Sequence, residues 1–182
     1  MSDIAEKYRT RAAAMTAKIE GVPDDAWGNQ SPCEEWTARD VVGHLVGTTG
    51  LFFGFIGKDA PEGPSVDDDP VAAWTAARNA MQAALDDPDV ATAEYEGLFG
   101  PTTFEQSVSR FICADLIIHN WDLSRATGQD EALDLDAMRE IKTEMEPYSD
   151  AMRQPGAFGP EVEPPAGADE QTKFLCFLGR QP

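Results

Sequence analysis

The stretch 109–129 constrains the fold most, because it repeats apolar residues with a helical period and carries a carboxylate and an imidazole inside that pattern. Residues four apart lie on one face of a helix, so Asp115 and His119 can present their side chains to the same point. The chain has one other histidine, His44, in a second apolar helical stretch. The sequence therefore raises the question of whether these three side chains meet around a metal ion.

The same helical period recurs along most of the chain. Apolar residues spaced three and four apart predict four main helices, over residues 4–19, 37–56, 71–85 and 103–127. Thr37 and Asp40 have the form of a capping box at the start of the second helix. Gly128 is placed to end the fourth helix in the left-handed conformation.

The remaining segments are shorter or less regular. Further helices are predicted over 134–148 and 169–178, with an extended segment rich in proline and glycine at 154–167. Residues 91–103 alternate in polarity over a few positions, but their glycines and proline restrict them to a loop or a short extended piece. We expect this stretch to be a crossover connection.

Four main helices with short to medium connections indicate an all-α protein built as a helical bundle, and bundle interiors commonly hold metal sites. A chain of 182 residues is long enough for one compact domain with a substantial core. We therefore expect a single domain over 1–182, in which 153–182 is an extended tail with a short terminal helix.

The charge of the chain excludes several kinds of partner. A formal net charge of -19 repels phosphate backbones and anionic lipid surfaces, so nucleic acid and membrane partners are not expected. The first residues given show no basic region followed by an apolar run, and no apolar stretch reaches membrane-spanning length, so we expect a soluble protein that is not exported. Its three cysteines are widely spaced without a CxxC pair, which favours reduced thiols and a cytoplasmic location.

The two Asp-x-x-x-His pairs have the same spacing but different surroundings. Asp40 falls in the first turn of its helix, where capping and the helix dipole account for a carboxylate. Asp115 lies in mid-helix among apolar residues, where a buried charge must be paired or bound to a cation. The pattern therefore favours Asp115, with His119 and His44, as a ligand.

Two imidazoles and one carboxylate with an open coordination position are typical of catalytic zinc sites, and the same set suits nickel, iron or manganese. The alternative is that each histidine is partly buried and hydrogen-bonded locally, with Asp115 and His119 a simple helix pair. Spacing alone favours that structural explanation.

Several neighbours have open roles. Asp122 is a candidate either to replace Asp115 as ligand or to accept a hydrogen bond from a ligating imidazole, and a salt bridge with Arg125 is the simpler alternative. Trp36 is a candidate wall of a pocket. Cys33 lies in the loop before the His44 helix and can approach a site, whereas Cys113 is expected to be a small buried apolar residue.

The residue identities in two segments carry more information than the spacing of their aspartates and histidines. SPCEEWTARDVVGHL at 31–45 and DLIIHNWDLSRATG at 115–128 resemble the signatures of the DinB-like superfamily that includes the N-terminal domain of mycothiol-dependent maleylpyruvate isomerase. FGPEV at 158–162 and FLCFLGR at 174–180 resemble its branch of small metal-binding proteins. The similarity covers nearly the whole chain.

The resemblance implies an antiparallel four-helix bundle in up-down-down-up order, here with an extra helix and an extended C-terminal segment. It implies a divalent metal, usually zinc, held by His44, Asp115 and His119, with Asp122 orienting a ligand. Asp115 stands where the isomerases usually have Glu. Trp36 and Arg125 are the expected contacts of the thiol cofactor.

The resemblance also implies that the metal activates a small thiol, mycothiol. The predicted function is therefore a metal-dependent, thiol transferase-like enzyme that joins this thiol to a small electrophile and acts as a monomer or homodimer. The competing prediction is a non-catalytic bundle, associated with stress, that binds a metal or a small molecule.

Overall fold

The structure is a computed structural model that describes residues 2–153 and 158–182. The described residues are mostly helical, with one small two-stranded sheet, which confirms the all-α prediction at that level. They group into two compact units, Met1–Glu131 and Ala132–Pro182. The expected single domain over 1–182 stays a prediction.

The first unit contains the four predicted main helices. They are α1 (Asp3–Glu20), α2 (Ala38–Phe55), α3 (Pro70–Asp86) and a fourth helical stretch that ends in α6 (Cys113–Thr127). Helices α1 and α2 each pack against both α3 and α6. Their inner faces form one apolar core, whose largest fully buried side chains include Tyr8, Met15, Ile19, Trp74, Met81, Phe104, Leu116 and Leu123.

Side-chain caps define the helix ends. The predicted capping box is present at the start of α2, where the Thr37 hydroxyl accepts from the Asp40 amide and the Asp40 carboxylate accepts from the Thr37 amide. Asp69 caps α3, whose first residue is Pro70. Gly128 ends α6 with φ 70°, the left-handed conformation expected there.

The stretch predicted as a crossover connection contains a short α4 (Pro88–Ala91) and then a β-hairpin. Strands β1 (Glu94–Gly97) and β2 (Gly100–Thr103) pair antiparallel, with Gly97 opposite Gly100. The alternation over 92–96 was a correct sign of a short strand, but the glycines that argued against one, Gly97 and Gly100, pair with each other on either side of the turn. Gly100 has φ 101°, which favours glycine at this position.

The fourth helical stretch was expected to be one continuous α-helix, but part of it is not α-helical. It begins as α5 (Phe104–Ser107), widens into a π-helical turn at Val108–Ile112 and continues as α6. Val108 and Cys113 are five residues apart and both fully buried. A π turn accommodates that spacing because it adds one residue to an α-helical turn.

The second unit begins with α7 (Leu135–Met145), which continues as a 3₁₀ turn (Glu146–Tyr148) and α8 (Ser149–Met152). Its last helix is α9 (Glu170–Phe177), which packs against α7. Arg139 joins these two helices through both oxygens of Glu170, at 2.6 and 2.8 Å. Of the extended segment predicted at 154–167, residues 154–157 lie outside the described residues, and 158–165 have no regular secondary structure.

Candidate metal centre

His44 is positioned by the start of α2. The capping box fixes the first turn of the helix at Thr37 and Asp40, and His44 follows one turn later. The hydroxyl and backbone N–H of Thr37 donate to Asp40 and hold the pKa of its carboxyl below the usual value. Asp40 is therefore engaged in the cap, as the sequence predicted.

Asp115 connects α6 to α2. One of its carboxylate oxygens lies 3.2 Å from Nε2 of His44, and 27% of each side chain is exposed. The simpler explanation from the sequence, a helix pair between Asp115 and His119, is not the arrangement found. Asp115 instead faces the histidine of the neighbouring helix, which places two potential metal ligands from different elements side by side.

His119 is held by Asp122, which contacts the Nδ1 side of its ring. Its Nδ1 lies 2.9 Å from Oδ2 of Asp122, and the two side chains are 8% and 0% exposed. An ionised Asp122 accepts the Nδ1 proton, which leaves the lone pair of the imidazole on Nε2. This is the tautomer in which Nε2 can bind a cation.

The aromatic rings of the site pack against one another. The ring centroids of His44 and His119 are 4.8 Å apart, and that of Trp36 lies 5.0 Å from His44 and 5.9 Å from His119. Trp36 and His44 also line an open cleft of about 390 Å³. The tryptophan thus separates the two imidazoles from part of the solvent, in agreement with its predicted place beside a pocket.

The three predicted ligands converge. The candidate donor atoms of His44, Asp115 and His119 all lie within 4.8 Å of one another. Two imidazoles and a carboxylate are donors that suit zinc and other divalent transition metals. The geometry brings the predicted set together, while the binding of an ion there stays a prediction.

A second group of donors shares His119. Cys33, Asp122 and His119 also have candidate donor atoms within 4.8 Å of one another, and Sγ of Cys33 lies 3.4 Å from Oδ2 of Asp122. The sequence left open whether Cys33 approaches the site. Its position in the short loop before the capping box was the available signal, since that loop must end beside His44.

Arg125 has other partners than those considered from the sequence. Its Nε lies 3.0 Å from Glu131, and its guanidinium carbon lies 4.9 Å from the ring centroid of Trp121. Arg125 is 43% exposed, whereas Asp122 is fully buried. A role of Arg125 in binding the thiol cofactor stays a prediction.

Comparison with known proteins decides the family. Residues 8–124 match the model of the mycothiol maleylpyruvate isomerase N-terminal domain, a region that contains both histidines, Asp115 and Asp122. The chain belongs to this family. The match confirms the relationship indicated by the two sequence motifs, and it places the converged donors in a mycothiol-related domain.

Two relatives align with the chain over nearly its full length. Two Mycobacterium tuberculosis proteins, "Uncharacterized protein MT0763" of strain CDC 1551 / Oshkosh and "Uncharacterized protein Rv0738" of strain ATCC 25618 / H37Rv, are each 28% identical to it over 172 residues. The alignment covers 92% of this chain and 92% of each relative. No solved structure gives a significant match. Among the described residues, no helix has the length and apolar character needed to cross a membrane.

Proposed function

We propose that the protein is a metal-dependent, thiol transferase-like enzyme. His44, Asp115 and His119 would hold a divalent ion, with zinc the first choice and nickel, iron or manganese as alternatives. The second substrate is a small electrophile that receives a low-molecular-weight thiol such as mycothiol. The observation that carries the proposal is the convergence of three donors within 4.8 Å in a mycothiol-related domain.

The chemistry of the donors fits such an ion. Three protein donors leave at least one coordination position open, which distinguishes catalytic sites from closed structural ones. Two imidazoles and one carboxylate would leave a bound divalent ion with a net positive charge, which would favour an anionic ligand at the open position. A thiolate provides that charge and is also a soft donor that zinc accepts readily.

The ion supplies one chemical effect when it is bound, which is to lower the pKa of a coordinated thiol so that the thiolate is present near neutral pH. The protein's own groups do the rest. Asp122 accepts the Nδ1 proton of His119 and thereby fixes the tautomer and the ring orientation. Trp36 packs beside both imidazoles and restricts access of water to them.

The cleft beside His44 offers room for the reactants. Arg39 donates to the carbonyl oxygens of Val66 and Asp67, at 2.9 and 2.7 Å, and so fixes the loop after α2 as one wall. Trp36, Gly43 and His44 are among the other lining residues. In the proposed reaction the thiolate sulfur forms a bond to an electrophilic carbon here, and the displaced electron pair leaves with the departing group or is protonated by water.

The finer points of the architecture belong to the same proposal. The packing of α1 and α2 against both α3 and α6 supports a DinB-like bundle in up-down-down-up order. We also propose a single domain, a monomeric or homodimeric state and a cytoplasmic location, which the three free thiols support.

Metal analysis of protein purified without chelators tests the proposed site. Wild-type protein and an Arg125→Ala control should retain the ion, whereas His44→Ala should lose it because one of three donors is removed. Retention of the full metal content by His44→Ala would contradict this ligand set.

Turnover tests the activity separately. Conjugation of mycothiol to a panel of reactive electrophiles should require the ion and should fall with its removal by chelation. If the loaded protein binds mycothiol but conjugates none of the electrophiles, the protein is the non-catalytic metal-binding bundle instead.

A further inference from the structure

The thiol of Cys33 faces the most deeply buried carboxylate of the site. Sγ of Cys33 lies 3.4 Å from Oδ2 of Asp122, the same oxygen that accepts from Nδ1 of His119 at 2.9 Å. Asp122 is completely buried and His119 nearly so. A thiol, a carboxylate and an imidazole nitrogen therefore meet on the side of His119 that faces away from its Nε2.

We propose that Cys33, Asp122 and His119 form a second metal site, which takes a thiophilic divalent ion such as zinc or cadmium. Two donors that share one ion at about 2.0–2.3 Å and a tetrahedral angle lie about 3.3–3.5 Å apart. The separation of Sγ from Oδ2 agrees with that value, and the shorter nitrogen–oxygen contact requires only a small movement. A cysteine thiolate among the donors selects softer ions.

The loop that carries Cys33 is held in place before any ion binds. The side-chain nitrogen of Gln30 lies within 3.0 Å of the carbonyl oxygens of Ser31, Cys33 and Trp36. The Ser31 hydroxyl accepts from the Cys33 amide at 3.2 Å. These bonds fix the backbone of the thiol donor, so that binding requires little further ordering of the loop.

The same loop is hydrogen-bonded to α6, the helix that carries the other two donors. The Asn29 side chain donates to the carbonyl oxygen of Ala126 at 2.9 Å. Glu34 and Glu35 follow Cys33 and are exposed, and their charges raise the local concentration of cations. Glu35 has φ 63°, an uncommon conformation for a residue with a side chain.

This site shares His119 with the proposed ligand set, and it also uses Asp122, which in the proposed function accepts the Nδ1 proton of His119. In the first site, formed by His44, Asp115 and His119, the imidazole of His119 would bind the ion through Nε2. In the second site, it would bind through Nδ1. With both sites filled, the thiol proton of Cys33 and the Nδ1 proton of His119 pass to solvent, and the ring becomes a bridge between two ions.

Cobalt titration under anaerobic conditions tests the second site, because Co²⁺ substitutes for zinc and gives a near-ultraviolet charge-transfer band only when a thiolate is bound. We expect about two ions per wild-type chain and a thiolate band. Cys33→Ser should abolish the band and reduce binding to about one ion per chain. Cys176→Ala, which removes a buried thiol of the second unit, should keep both.

The two proposals fail in different ways. If cobalt binds, no thiolate band forms and His44→Ala loses the ion, the second site is excluded and the first remains. If the band persists in His44→Ala with the same number of ions as wild type, the second site is supported and the first is excluded. A band that survives in Cys33→Ser excludes Cys33 as the ligand.

A measurement on wild-type protein covers the case in which Cys33→Ser does not fold. Cadmium should protect Cys33 from alkylation by iodoacetamide, as read by mass spectrometry of the labelled peptide. Alkylation of Cys33 at the same rate with and without cadmium would overturn the proposal.

Discussion

The pairs Asp40/His44 and Asp115/His119 have identical spacing and different environments. Asp40 lies at the exposed first turn of α2 and bonds to Thr37. Asp115 lies within α6 and bonds across to His44, while His119 bonds to a third carboxylate, Asp122. In the described hydrogen bonds, neither aspartate is joined to the histidine four residues later. Position along the helix, rather than spacing, therefore determines what each carboxylate does.

The contrast between the two histidines should produce the largest difference in stability. Removing a hydrogen-bond donor from a buried polar group costs about 1–3 kcal/mol. His119→Ala would remove the Nδ1–H donor from the fully buried Asp122, which would keep its contact with Cys33. The pair of His44 with Asp115 is partly exposed, and such pairs contribute at most about 1 kcal/mol.

Urea unfolding in the presence of a chelator measures both costs without any contribution from metal binding. His119→Ala should lose more free energy of unfolding than His44→Ala. Equal losses would mean that the two histidines are equivalent structural residues, and the contrast between them would be wrong.

The contrast between the two aspartates should be clearest in metal affinity. Changes to groups that merely orient a ligand already cost about 10–100-fold, so Asp115→Asn, which removes a ligand charge, should weaken zinc binding by more than about 100-fold. Asp40→Asn is the matched control and should leave the affinity within about twofold, since Asp40 is engaged in the cap. Competition with a chromophoric chelator measures both, and similar losses would remove Asp115 from the ligand set.

Asp122→Asn distinguishes orientation from ligation. An asparagine oxygen still accepts from Nδ1 of His119 but lacks the charge that makes the ring a better donor. We expect zinc affinity to fall by about 10–100-fold, less than in Asp115→Asn. The opposite order in the same chelator competition would make Asp122 the carboxylate ligand of the first site.

The cap of α2 should give the smallest effect, confined to stability. Thr37→Ala removes the hydroxyl that caps the helix and should cost about 1 kcal/mol, with metal affinity unchanged. The Thr37 hydroxyl is also the largest cause of the lowered pKa of Asp40.

This part of the stability has a definite pH dependence. A carboxyl whose pKa is lowered by folding contributes stability above its ordinary pKa of 3.8, and that contribution is lost as the pH falls through the lowered value. The difference between wild type and Thr37→Ala should therefore be constant near neutral pH and shrink below about pH 4. Urea unfolding at a series of pH values measures it, and a difference that grows in acid would contradict the assignment.

Local features of the fold were predictable because they depend on residues close in the sequence. The helical period located the four main helices, and the Thr37–Asp40 box and Gly128 gave ends that agree with the structure to within a residue or two. The β-hairpin was not predicted, because two nearby glycines can either interrupt a strand or flank the turn between two strands. The choice depends on pairing with β2, which no local pattern contains.

The site was predictable only in part for a similar reason. The mid-helix position of Asp115 marked it as unusual, and the family motifs connected it with His44 and His119. Its actual partner across the bundle depends on how α2 and α6 pack, and so does the approach of Cys33 to Asp122. Spacing within one helix contains neither distance.

The π turn at Val108–Ile112 changes the direction in which the side chains of α6 point around the helix axis. An extra residue in one turn offsets the angular position of everything after it, so the segment before the turn and α6 after it can each be aligned independently. Phe104 and Val108 keep their place in the core, while Asp115 and His119 are rotated toward α2 and the Cys33 loop. Arg11 of α1 donates to the carbonyl oxygen of Cys113 at 3.2 Å. The α-helical pattern resumes at Cys113, so this hydrogen bond holds the end of the π turn against α1. Helix geometry in this chain is thus adjusted by one residue of length.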